Sequence, residues 1–137
     1  MWWIFALLSA LFAAFTAIFA KVGIRGVDTD LATAIRTIVI LILAWGIVFF
    51  RGGASSITTL TKQNIIFLCL SGIATGLSWI FYFKALQLGK VSQVAPVDKM
   101  SVAFVIIFAV IFLGEPLTWR TALGALLIVG GSVVLIL

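Results

Sequence analysis

The residues able to do chemistry in this chain are few, and several lie inside long apolar stretches. Ser71, Thr75, Ser78 and Tyr82 recur at i, i+4, i+7 and i+11, one narrow face of a helix, with Trp79 beside them. Hydroxyls and an aromatic edge at that spacing suit the lining of a path for an amphipathic or ring-bearing solute. The same spacing also suits helix-to-helix hydrogen bonding. Arg36, Lys84, Asp98 and Lys99 are ionisable groups within apolar runs, where a charge is costly and a functional candidate by default. Together they suggest a polar vestibule at one end of a bundle. Asp98 would balance part of three cations, and the remaining positive charge favours an anionic or carboxylate-bearing ligand. Snorkelling of the long cations and favourable helix-end positions for Lys84 and Asp98 offer the plainer account. Lys84 lies about 200° around the helix from Tyr82, and Lys99 about 160° from Ser101. Arg36 and Asp98 are therefore the stronger candidates. A weaker stripe on the first helix, Ser9, Ala13, Thr16 and Ala20, adds Thr16 to the path residues.

Enzyme chemistry finds little support. There is no His and one Cys, no acid pair is placed for proton transfer, and no phosphate loop or metal-ligand spacing occurs. Neither a cofactor nor a metal is called for. The net charge of +5 is spread over several turns with no basic run, which argues against nucleic-acid binding. Cys69 lies in mid-span and reads as a buried packing thiol.

The elements that position these residues follow from the charge map. Charged residues are 9% of the chain and hydrophobic residues 64%, with a mean hydropathy of +1.35. Residues 2–20, 65–83 and 121–137 carry no charge, 31–50 only Arg36, and 96–113 only Asp98 and Lys99. About 20 apolar residues in a helix cross a bilayer core of about 30 Å. The pattern predicts an all-α integral membrane protein with five transmembrane helices in one domain, over residues 2–22, 31–50, 65–88, 96–113 and 117–137. Continuous apolar runs do not fit alternating barrel strands. The first run lacks a basic start and a small-residue cleavage site, so it reads as a helix rather than a leader. Asp28, Thr29 or Asp30 caps the second helix, Gly89 suits the end of the third, and Pro96 suits the first turn of the fourth. Gly72-x-x-x-Gly76 and the small residues Thr121, Gly124, Ala125, Gly131 and Ser132 read as surfaces for close helix packing, the latter between subunits.

Five crossings place the termini on opposite sides. Loops on the N-terminal side carry Arg51, Lys62 and Arg120, against Lys21, Arg25 and Lys90 on the other. That balance permits dual insertion. Counting Arg36, Lys84 and Lys99 as snorkelled to the second side instead favours a cytoplasmic C-terminus.

The wording of the second half adds a resemblance. Ser78-Trp79-Ile80-Phe81-Tyr82-Phe83-Lys84-Ala85-Leu86 leads through Gly89 to Val94-Ala95-Pro96. Leu113-Gly114-Glu115 follows the fourth helix, and Gly124-Ala125-Leu126-Leu127-Ile128-Val129-Gly130-Gly131 opens the last. With Thr16-Ala17-Ile18-Phe19-Ala20-Lys21 and Ala34-Ile35-Arg36-Thr37, this resembles the EamA domain of the drug/metabolite transporter superfamily over the whole chain. Many members carry two such domains as inverted repeats, and this chain resembles the short five-helix type, one half of an inverted-repeat transporter fold. The resemblance implies a multi-pass protein of a prokaryotic plasma membrane that moves small organic solutes, metabolites or drugs, by alternating access. The second half would come from a homodimer, antiparallel in the simplest case, or from a related half. A non-transporting subunit that stabilises a larger complex is the alternative. The superfamily's four-helix multidrug branch uses a carboxylate in its first helix, and none stands there in this chain. Any proton coupling would fall on Asp98.

Overall fold

A computed structural model describes residues 1–137, all of them helical or in short turns. The chain runs α1 (Trp2–Gly23), α2 (Thr29–Phe50), a 3-10 helix (Gly53–Thr59), α3 (Lys62–Leu88), α4 (Val91–Lys99), α5 (Ser101–Leu113) and α6 (Trp119–Val134). Four stretches are long and apolar enough to cross a membrane: α1, α2, α3, and α4 with α5 taken together as Val91–Leu113. The fifth, expected over residues 117–137, is a regular helix of 16 residues, shorter than the others. Backbone bonds from Leu135 to Gly131 and from Leu137 to Val133 carry its helical turn to the last residue.

The burial pattern inverts that of a soluble domain. Only Ala17, Ile24, Phe83 and Leu86 among the apolar residues are buried, while almost every large apolar side chain faces outward. In water that surface would collapse, whereas lipid tails are as apolar as leucine and leave it stable.

The helix ends are set locally. Asp28 caps α2, its Oδ1 accepting from the amides of Asp30 (3.0 Å) and Leu31 (3.1 Å). The Thr118 hydroxyl accepts from the Thr121 amide and starts α6. α5 ends on Gly114 at φ 67°, where the amides of Gly114 and Glu115 (3.2 Å) both reach back to the Ala109 carbonyl, a closure made through a left-handed residue. Gly89 directly follows α3, at the end the sequence assigned it.

Proline placement departs most from the sequence reading. The fourth helix begins at Val91 rather than at residue 96, and Pro96 lies inside it. Proline has no amide to give, which frees the Ser92 carbonyl one turn earlier, while the Pro96 carbonyl itself can still accept. Here the break comes at Met100, whose amide turns to the Val97 carbonyl at 3.0 Å. The Pro96 carbonyl is then satisfied from outside its own helix, by the Ser132 hydroxyl of α6 at 2.9 Å. That hydroxyl also reaches the Ile128 carbonyl at 2.7 Å, and its single proton is shared between the two.

Two compact units are distinguishable, each with its own contacts: residues 1–19 with 88–137, and residues 20–87. In the first, α4 and α5 both pack on α6. In the second, α2 packs on the 3-10 helix, and the α1–α2 turn is tied to the end of α3. The Lys21 ammonium donates to the Leu86 carbonyl, and the Gln87 amide donates to the carbonyls of Ile24 (3.2 Å) and Val27 (2.6 Å). The first half of α3, through Thr75, has no buried residue. Cys69, expected as a buried packing thiol, is therefore exposed, because nothing in the chain packs against that part of the helix. Gly72 and Gly76 likewise have open space where a Cβ would stand, as do Gly124 and Gly131.

Ser132→Ala leaves the Pro96 carbonyl without its cross-helix donor. A loss of about 1 kcal/mol is expected in unfolding from mixed micelles. Asn is less suited than Thr as a rescue, because only Thr keeps the hydroxyl in place.

Candidate functional site

The site grows from the arginine of α2. Arg36 stands eight residues after the Asp28 cap, about 12 Å along the helix axis and so well inside a membrane span. Its own helix offers it nothing. The neighbouring hydroxyls are already used within α2, Thr33 on the Thr29 carbonyl and Thr37 on the Thr33 carbonyl, both at 2.8 Å.

What Arg36 meets is the aromatic face of α3. Its guanidinium carbon lies 3.9 Å from the centroid of the Trp79 ring and 5.2 Å from that of Phe83. Trp79 and Phe83 are four residues apart and so stack on one side of the helix, with Leu86 continuing the same side. Phe83 and Leu86 are the largest fully buried side chains of the chain. Tyr82 is half-buried, its ring centroid 6.4 Å from that of Phe83. The backbones of α2 and α3 stay apart, and the long side chains make the contact.

Electrically the cluster is unbalanced. Arg36 keeps its charge at any physiological pH, and one terminal nitrogen is buried without a hydrogen-bond partner. No carboxylate of the chain pairs with it. Asp98 instead pairs with its neighbour Lys99 at 3.2 Å on α4, both at least partly exposed. A charge at the centre of a membrane helix costs about 2.5–3.5 kcal/mol on insertion scales, and a cation over a desolvated ring recovers up to about 2 kcal/mol.

The sequence-derived residues divide accordingly. Arg36 and Trp79 are brought into direct contact, with Tyr82 next to Phe83 on the same face. Ser71, Thr75 and Ser78 continue along one flank of that face but are exposed, and the Thr75 hydroxyl bonds back to the Ser71 carbonyl at 2.8 Å. Asp98 and Thr16 belong to the other compact unit, both half-buried. Lys84 is exposed, in keeping with its position off the tyrosine face. The residue that sequence reading missed is Phe83. Its spacing of four from Trp79 was visible, but nothing in the sequence pairs an α3 phenylalanine with an α2 arginine.

Membrane-length apolar helices with outward-facing side chains, two of them joined through a desolvated cation–aromatic contact, define a multi-pass membrane protein with a polar feature inside its span. The chain matches the EamA-like transporter family over residues 1–137 and belongs to that family. A protein of Sinorhizobium sp., described as an uncharacterized transporter in the cobO 3' region, is 48% identical over 134 residues, covering 98% of this chain and 95% of its own length. Human solute carrier family 35 member G1 is 39% identical over 74 residues, 54% of this chain and 20% of that protein. No solved structure matches the chain significantly.

Trp79→Leu removes the ring face under the guanidinium and should lower stability by about 1–2 kcal/mol, with Trp79→Phe intermediate. Thermal unfolding of the purified protein in micelles, followed by circular dichroism, checks the order of the three.

Proposed function

We propose that this protein is a secondary transporter of small organic solutes in a prokaryotic plasma membrane, working as a dimer by alternating access. The observation that carries the reading is the family match along residues 1–137, reinforced by a relative called a transporter that is 48% identical over nearly its full length. The polar and cationic side chains of α2 and α3 fit it. Solute paths in membrane proteins are marked by the few groups that lipid does not tolerate.

An antiparallel homodimer supplies the second half. Inverted halves put a solute site between them near the midplane and let one rock against the other. The loop cations, three on each side, permit both insertions. The unpartnered first half of α3, with Gly72 and Gly76 open, offers a surface against which a second copy can lie closely. Ser71, Thr75 and Ser78 on that helix then face a neighbouring subunit or the path it encloses.

The C-terminus fused separately to a cytoplasm-active fluorescent reporter and to a periplasm-active phosphatase tests the arrangement. Comparable activity of both fusions is expected after correction for expression. Activity of one alone rules out the antiparallel homodimer and calls for a parallel dimer or an oppositely inserted related half. The hydroxyl stripe is tested separately. Ser71, Thr75 and Ser78 changed together to Ala should shift the transport KM by several-fold without changing the amount of folded protein. An unchanged KM would favour the subunit that only stabilises a larger complex.

A further inference from the structure

We infer that the solute carries an anionic group, and that Arg36 anchors it while Trp79 and Phe83 hold an apolar or aromatic body. This deepens the transporter reading above and rests on it. Three observations converge on Arg36. It is a permanent cation inside a span, two turns in from the α2 cap. It is held in place by ring faces rather than by an acid, with its carbon 3.9 Å from the Trp79 centroid. One of its terminal nitrogens is buried with no acceptor.

The acids of the chain are accounted for without it. The sequence has four Asp and Glu residues. Asp28 is taken up by two α2 amides, Asp98 pairs with Lys99, and neither Asp30 nor Glu115 forms an ion pair with Arg36. A ring face steadies a guanidinium but accepts no directed hydrogen bonds from its edge, where the planar donor fork lies. That fork matches two oxygens of a carboxylate, sulfonate or phosphonate, and bonds of this kind are shortest and strongest away from water. The same charge repels cationic solutes, for which α1 offers no acid at all. The aromatic neighbours add the second half of the recognition: an anion with an aryl or alkyl body buries that body against Trp79 and Phe83, whereas a small inorganic anion gains nothing there.

The test uses the purified full-length chain and probes built on one benzene ring that differ in the sign of their charge. Benzenesulfonate and terephthalate are the anions, benzenesulfonamide is neutral, and phenyltrimethylammonium is the cation. Isothermal titration calorimetry reads binding, and uptake of the labelled probes into proteoliposomes reads transport. At least one anion should bind and enter, with the neutral and cationic probes at least about tenfold weaker. Arg36→Gln should abolish that preference, and Arg36→Lys, which keeps the charge but not the fork, should retain part of it. Circular dichroism confirms folding of each variant. If Arg36→Gln does not fold, Arg36→Lys and Trp79→Phe carry the comparison, and anion affinity equal to the unmodified protein in both overturns the assignment. Transport of the cation or the neutral probe with no preference for anions also overturns it, while leaving the transporter reading in place. Arg36-dependent binding of anions with no uptake of any probe supports the anion site and removes the transporter reading. Neither binding nor uptake of any anion overturns the inference.

Discussion

A bilayer core offers no hydrogen-bond partners, and this one constraint shapes the chain. Every backbone amide and carbonyl must be satisfied inside its own segment, so the apolar runs fold as helices. Apolar side chains meanwhile lose their reason to seek one another. The result is a protein whose buried apolar residues are only Ala17, Ile24, Phe83 and Leu86. Beyond the packing of α4 and α5 on α6, helix contacts in such a setting draw on the few groups that lipid does not tolerate. Ser132 reaches from α6 to the Pro96 carbonyl, Gln87 from α3 to the α1–α2 turn, and Arg36 from α2 to the rings of α3.

Each of these contacts answers a local deficit. Where α4 passes into α5 the Met100 amide turns away from the Pro96 carbonyl, and a hydroxyl from another helix meets it. The α1–α2 turn exposes the Ile24 and Val27 carbonyls, and one glutamine amide serves both. Arg36 is the deficit that the chain does not close. Aromatic faces hold it and lower the cost of its position, but none of them accepts the bonds its nitrogens can donate. The groups that staple the fold are satisfied in this way, whereas a terminal nitrogen of Arg36 is not.

The unpartnered surfaces tell a related story. The N-terminal half of α3 carries its hydroxyls, its glycines and Cys69 on faces that nothing in the chain covers. In water an exposed small-residue seam has little meaning. In lipid such a seam allows a helix to approach closely, because association there depends on close packing rather than on expelling water.

Composition and periodicity alone determined that the chain is helical, apolar enough for a membrane, and organised around a few intramembrane polar residues. Length against bilayer thickness and the absence of alternation leave no other reading. A cap among Asp28, Thr29 and Asp30 and the phase of the α3 stripe were equally legible, since both are set within one or two turns of chain. The structure settled the cap on Asp28. Tertiary structure decided the rest. It placed Arg36 on Trp79 and Phe83, gave Asp98 to Lys99, and left Ser71, Thr75 and Ser78 on an open flank. It also moved the start of the fourth helix to Val91, leaving Pro96 inside it and the break at Met100. The reason is the same throughout. Periodicity states which residues share a face of one helix, but it carries no information about which other helix that face will meet.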